Sequence, residues 1–164
     1  MVAPLHPPII AVCGAGTCDH QLAALAEAVG RGLAQAGATL VCGGLGGVME
    51  AACRGARSAG GLTVGILPGN DIRAANPYVM VPVATGMGEA RNAIIVQTAA
   101  AVIAVGGEYG TLSEIALARK RGKVVIGLHT WDLGTDPTGH PRVLRVDSPE
   151  EAVERALAAA RQMS

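Results

Sequence analysis

Six short apolar runs, each closed by glycine or another turn-forming residue, constrain this chain more than any other feature. They read IIAVCGAG, ATLVCGG, LTVGILPG, YVMVPVATG, AAVIAVGG and KVVIGLHT. Strands that are apolar throughout, rather than alternating in polarity, are buried on both faces, and a parallel sheet between two layers of helices provides that burial. Helical stretches separate most of the runs: LAALAEAVGRGLAQAG, GGVMEAACRGARSAG, GEARNAIIVQTAA and GTLSEIALARKRG. In the first of these, Leu22, Leu25, Ala26, Val29 and Leu33 share one face at helical spacing. The pattern predicts an α/β fold, a single-domain doubly wound, Rossmann-like parallel sheet with helices on both faces, spanning residues 1–164. SPEEAVERALAAARQ predicts a closing helix, with Ser148 as N-cap, Pro149 in the first turn and Glu151 as a capping-box acid. The WDLGTDPTGHPRVLRV segment before it predicts turns and one short strand.

Charge narrows the partner. Lys+Arg and Asp+Glu balance at 13 each, so the broad positive field of a nucleic-acid or anionic-membrane surface is missing, and a small neutral or anionic ligand fits better than a polymer. Phe is absent and the only aromatic residues are Tyr78, Tyr109 and Trp131, which leaves no platform for stacking successive bases of a single strand. The longest apolar stretch, AIIVQTAAAVIAV, is shorter than a membrane span and holds Gln97 and Thr98, so it reads as a helix followed by a strand. MVAPLHPPIIAV lacks a basic start and reads as a lead-in to a strand, which makes the cytoplasm the expected location. Cys13, Cys18, Cys42 and Cys53 lack paired C-x-x-C spacing and read as small reduced residues of the core and its loops rather than metal ligands.

In an open α/β sheet ligands bind beyond the carboxyl ends of the strands. Those ends carry CGAGTC, CGGLGG, TGMGEARN and GGEYGT, more glycine than folding requires. Glycine lets backbone N–H groups approach phosphate oxygens, and a following helix N-terminus adds partial positive charge, so a phosphorylated small molecule is the expected partner. The candidate ligand-binding residues are Gly14, Ala15, Gly16, Gly43, Gly44, Gly46, Gly47, Gly88, Arg91, Asn92, Gly106, Gly107, Tyr109, Gly110, Thr111 and Glu114. None of the turns is a G-x-G-x-x-G fingerprint, since in GAGTCD Asp19 stands where the third glycine belongs, and no P-loop is present, since Lys120 and Lys123 sit in the ARKRGK cluster.

Two residues carry competing expectations. TLSE spells a capping box, in which Thr111 caps a helix and Glu114 reaches back to the backbone. Arg91, near the start of an apolar helix, opposes the macrodipole, a conflict that an anion shared with the backbone would relieve. Asp71, Arg73 and Asn76 belong to a loop that reads as surface, His129 ends a strand on the ligand edge, and Trp131 covers either core or ligand.

With GEARN followed by GGEYGTLSE, nearly the whole chain resembles the LOG (Lonely Guy) family, long labelled lysine decarboxylases, whose known members are phoshoribohydrolases that cleave the N-glycosidic bond of nucleoside 5′-monophosphates. That resemblance implies Arg91 and Glu114 as catalytic residues and Gly106, Gly107, Gly110 and Thr111 as phosphate-binding ones. The family signature P-G-G-x-G-T-x-x-E with an upstream Arg-Lys is altered here: Val105 stands for the proline, Glu108 and Tyr109 lengthen the loop by one residue, and Asn92 stands for the lysine. GMGEARN and GGEYGTLSEIALA are more similar to the branch that includes molybdenum cofactor carrier proteins, which bind a pterin phosphate without known catalysis. The resemblance therefore implies a carrier or sensor of a nucleotide such as AMP or of the molybdenum cofactor as cargo, with no cofactor of its own required. A phosphoribohydrolase is the alternative, in which Glu89 or Glu108 supplies the second carboxyl that glycoside cleavage uses. It also implies a homo-oligomer, a dimer or tetramer. A pyridoxal-phosphate decarboxylase is disfavoured, because such an enzyme needs a Schiff-base lysine and both lysines lie in a basic helix end.

Overall fold

The computed structural model describes residue 3 and residues 5–163; Met1, Val2, Pro4 and Ser164, which the single-domain expectation also covers, lie outside the described residues. Among the described residues, seven strands form one sheet: β1 (Ile9–Gly14), β2 (Thr39–Cys42), β3 (Thr63–Leu67), β4 (Val81–Ala84), β5 (Ala101–Val105), β6 (Val124–Leu128) and β7 (Leu144–Arg145). Their order is β4-β3-β2-β1-β5-β6-β7 and every pairing is parallel, with Ile10 opposite both Leu40 and Ala101. The helices are α1 (His20–Gln35), α2 (Val48–Ser58), α3 (Asn92–Thr98), α4 (Tyr109–Lys120) and α5 (Pro149–Gln162). The chain is a doubly wound, Rossmann-like α/β domain, and its order reverses between β1 and β5.

Period-two side-chain geometry divides the buried strand residues between two cores. Ile10 and Val12 of β1, with Ala101, Ile103 and Val105 of β5, meet α1, α2 and α5 on one face. Ala11 and Cys13, with Val102 and Ala104, meet α3 and α4 on the other. With no phenylalanine to fill space, the layers close by approaching tightly. At the α1–α2 crossing a Cβ on Gly30 would fall 1.9 Å from the Ala52 carbonyl oxygen, and one on Gly55 would fall 1.9 Å from that of Glu27, so only glycine lets these backbones touch. Glu27 then accepts hydrogen bonds from Arg31 and Arg54 beside the crossing.

The predicted face of α1 holds, with Ala26, Val29 and Leu33 buried and Leu22 and Leu25 packed at its margin. Asp19, the residue that breaks the dinucleotide fingerprint, is the N-cap of α1 and accepts from the Leu22 N–H at 2.8 Å. All four cysteines are free, three of them buried. The fourth apolar run departs from expectation. Only Val81–Ala84 pairs as a strand, and Val81 and Val83 are exposed, because β4 is the sheet edge and carries Pro82, while Tyr78 and Val79 before it turn into the core. No helix among the described residues is long and apolar enough to cross a membrane.

Candidate functional site

A cavity of about 380 Å³ opens at the carboxyl ends of the strands, where the sheet order reverses. One wall is Gly14, which ends β1, with Ala15 and Gly16 after it, a second is Leu45 before α2 and Met49 in its first turn, and a third is the first turns of α4. Arg91 and Asn92 enter from the join between a 3-10 turn, Gly88–Arg91, and α3. Eight of the candidate residues therefore line one space: Gly14, Ala15, Gly16, Arg91, Asn92, Tyr109, Gly110 and Thr111, with Glu114 as a ninth. Gly43, Gly44, Gly46, Gly47, Gly88, Gly106 and Gly107 stand outside that lining and shape the loops behind it. A larger hollow of about 540 Å³ lies at the opposite edge, near Ile9, Ala99 and Lys123, where strands begin rather than end. Parallel sheets present their ligand crevice at the other edge, and the Lys123 ammonium is already committed to the Ala99 carbonyl at 2.7 Å.

The start of α4 overturns the capping-box expectation. The helix begins at Tyr109, two residues before Thr111, with Glu108 in the N-cap position and no side chain capping it. Thr111 is thus the third helical residue. It is 2% exposed and its hydroxyl is buried without a hydrogen-bond partner. The N–H groups of a helix's first turn also have no partner within the helix, so this turn presents several donors and little to receive them. Gly107 makes the approach possible: its φ is +113°, and a Cβ there would lie 2.5 Å from the Thr111 side chain. The loop is held from behind by the Thr130 hydroxyl, which donates to the Gly106 carbonyl, and by the Trp131 indole N–H, which donates to the Glu108 carbonyl at 3.2 Å.

Glu114 does not reach back to the backbone either. It lies one turn further along α4 and accepts from the Cys13 thiol at 2.8 Å, across the reversal from β1. Burial pushes its carboxyl above the usual carboxylate range, against the opposing pull of the Cys13 hydrogen bond and the Arg91 charge. The Cys13 thiol is raised well above its ordinary value by burial first and then by the charge and hydrogen bond of Glu114. Cys13 read as core in the sequence, and nothing in a position 101 residues away could connect it with Glu114.

Arg91 also resolves differently from its expected conflict. Its guanidinium donates to the Ile66 carbonyl at 2.9 Å, to the Asn92 side chain and, at 3.5 Å, to the Gly43 carbonyl. These carbonyls at the ends of β2 and β3 supply the partial negative charge that an anion was expected to bring. Asn92, buried, serves the guanidinium through its amide oxygen. The cavity nevertheless stays rich in carboxylates, since Glu89 and Glu108 line it alongside Glu114.

The remaining candidates fall away from the cavity. Asn76 is buried and pins two loops together, donating to the Leu45 carbonyl at 2.9 Å and accepting from the Tyr78 N–H at 3.0 Å. Asp71 and Arg73 form an exposed ion pair at 2.8 Å. His129, at φ +54°, borders a separate hollow of about 100 Å³ with Arg145 and Asp147. Lys120 ends α4 at the far edge, whereas Lys123 lies beyond that helix and is buried against carbonyls, which corrects its place in a basic helix end.

This sheet order with a cavity at its reversal defines a Rossmann-like α/β fold. The model of the SLOG cluster4 family matches residues 7–153, and the chain belongs to that family. An uncharacterized protein of Archaeoglobus fulgidus is 47% identical over 150 residues, which is 90% of this chain and 93% of that one. Among solved structures, the molybdenum cofactor binding protein of Rippkaea orientalis is similar at TM-score 0.86 and 36% identity, over 94% of this chain and 98% of its own. The molybdenum cofactor carrier protein of Chlamydomonas reinhardtii is similar at TM-score 0.78 and 33% identity, over 92% and 99%.

Proposed function

We propose that this chain binds a phosphorylated small molecule at the start of α4 and carries or senses it. The observation that carries this reading is the Thr111 hydroxyl, buried and without a partner beside an uncapped helix N-terminus. An unpaired buried hydroxyl costs about 1–3 kcal/mol, which an accepting phosphate oxygen would recover while the N–H groups of the first turn share the same anion. Likeness to molybdenum cofactor binding and carrier proteins supports that cofactor as the cargo, and the same cradle suits a nucleotide such as AMP. The surrounding residues then divide the work. Gly14 to Gly16 admit the ligand along β1, and Arg91 fixes the opposite wall by gripping the ends of β2 and β3.

Titration calorimetry with AMP tests this directly. Thr111→Val keeps the shape and removes the donor, and the expected result is a loss of affinity of roughly ten-fold or more. Unchanged affinity would remove Thr111, and with it this placement of the phosphate. A second reading, phosphoribohydrolase, has one observation in its favour: Glu89 and Glu108 share the cavity with Glu114, so a second carboxyl is at hand for glycoside cleavage. Release of free base from nucleoside 5′-monophosphates, lost in Glu114→Gln, would establish it. We infer also that copies of the chain associate as a dimer or tetramer, covering the exposed Met80, Val81 and Val83; sedimentation of the purified protein tests this.

A further inference from the structure

Aromatic side chains are scarce in this chain, and their placement is uneven. Tyr78 packs at the margin of the α1–α2–α5 core, with its ring 5.9 Å from the Arg54 guanidinium. The other two meet beside the cavity: the Tyr109 and Trp131 rings have centroids 5.8 Å apart, tilted by 40°. Tyr109 is the first residue of α4, two positions before Thr111, and it lines the cavity while remaining 80% exposed. Trp131 is the buttress. Its indole packs against the α3–α4 core and its N–H donates to the Glu108 carbonyl, so it is tied to the residue immediately preceding the tyrosine.

Folding gains little by leaving a phenol in water at a helix start, since most of Tyr109 stays exposed there. A braced, exposed ring at a cavity mouth does suit a flat ligand, because aromatic faces gain most from an offset stack on another π-system. Resting on the phosphate site at Thr111, we propose that Tyr109, braced by Trp131, stacks the planar heteroaromatic ring of the ligand, making this pair its determinant of ligand class. A purine nucleotide and a pterin phosphate share that chemistry, a flat nitrogen heterocycle linked to a phosphate. Sugar phosphates lacking the ring lack the stack.

Trp131 is the only tryptophan in the chain, so its fluorescence reports the site without labelling. The full chain is titrated with ribose 5-phosphate, AMP and neopterin monophosphate, with calorimetry in parallel, for the wild type, Tyr109→Ala and Tyr109→Phe. The expected result is that AMP, the pterin phosphate or both bind tighter than ribose 5-phosphate and change Trp131 emission; whichever binds identifies the source of the ring. Tyr109→Ala then weakens that binding roughly ten-fold, as loss of one base–aromatic stack does, and leaves ribose 5-phosphate affinity unchanged. Tyr109→Phe restores it. Equal affinity for all three ligands, or an equal loss for all three in Tyr109→Ala, would overturn the stack while leaving the phosphate site standing. Binding of none of them would overturn both. A shift in sedimentation for Tyr109→Ala with ligand affinity intact would also overturn the proposal and assign the ring to contact between copies.

Discussion

The starts of α4 and α5 have nearly the same spelling and opposite fates. At α5, Ser148 accepts from the Glu151 N–H at 3.2 Å, Pro149 occupies the first turn and Glu151 accepts from the Asp147 N–H at 3.4 Å. The helix is sealed by its own side chains. At α4, TLSE has the same Ser/Thr-x-x-Glu form, yet the helix begins earlier, its N-cap contributes no side-chain bond, and Thr111 is left with an idle buried hydroxyl. Location decides between them: α5 follows the short strand β7, whereas α4 follows β5 at the reversal of the sheet. A sealed helix end serves folding, whereas the open one at the switch point leaves its first-turn donors without a side-chain cap.

Substitutions at the two starts sharpen this contrast. The largest effect is expected for Gly107→Ala, which forces a side chain onto Thr111 at a positive φ and should cost about 3 kcal/mol of stability, measured by denaturant unfolding, together with ligand binding. A variant as stable as the wild type would mean that the loop has another conformation available. Next comes Thr111→Val, whose binding loss should arrive with a melting temperature equal to or above that of the wild type, since it removes an unsatisfied group. Ser148→Ala should behave in the reverse sense, losing about 1 kcal/mol and a few degrees of melting temperature with ligand affinity intact. If both variants lowered stability alike, the two helix starts would be equivalent and the contrast would fail.

The smallest effect concerns pH. The folded Glu114 carboxyl holds its proton more tightly than the unfolded one, so its contribution to stability is complete below the ordinary carboxylate value. That contribution is lost as pH rises through the raised folded value. Wild-type stability should therefore decline across that window, and Glu114→Gln should remove part of the decline. Parallel pH profiles for the two proteins would show that Glu114 is not held in a desolvated place.

Most of the fold was legible because fully apolar runs at strand length and helical spacing between them admit few architectures. The edge strand was not. YVMVPVATG is as apolar as AAVIAVGG, and local composition does not say that β4 ends the sheet while β5 lies inside it. Glycine placement led to the cavity, but the direction in which side chains point depends on contacts far along the chain. Arg91 turns to Ile66 and Gly43, and Glu114 turns to Cys13, because strands from different parts of the sequence end beside them. The offset of three residues between the expected N-cap, Thr111, and the observed one, Glu108, shows how a motif spaced correctly in sequence can be displaced by the loop that precedes it.

The backbone contact between α1 and α2 has a consequence for how this site can diversify. Gly30 and Gly55 let two helices lie against each other, and those helices follow the loops after β1 and β2. A change to any larger residue at either position has to drive the helices apart, and the displacement is passed to the Gly14–Gly16 wall through the rigid length of α1. Variation in the cavity lining is therefore most accessible at Tyr109, an exposed residue whose side chain can change without moving a backbone. Drift at the helix crossing would alter the cavity wall from a place outside its lining.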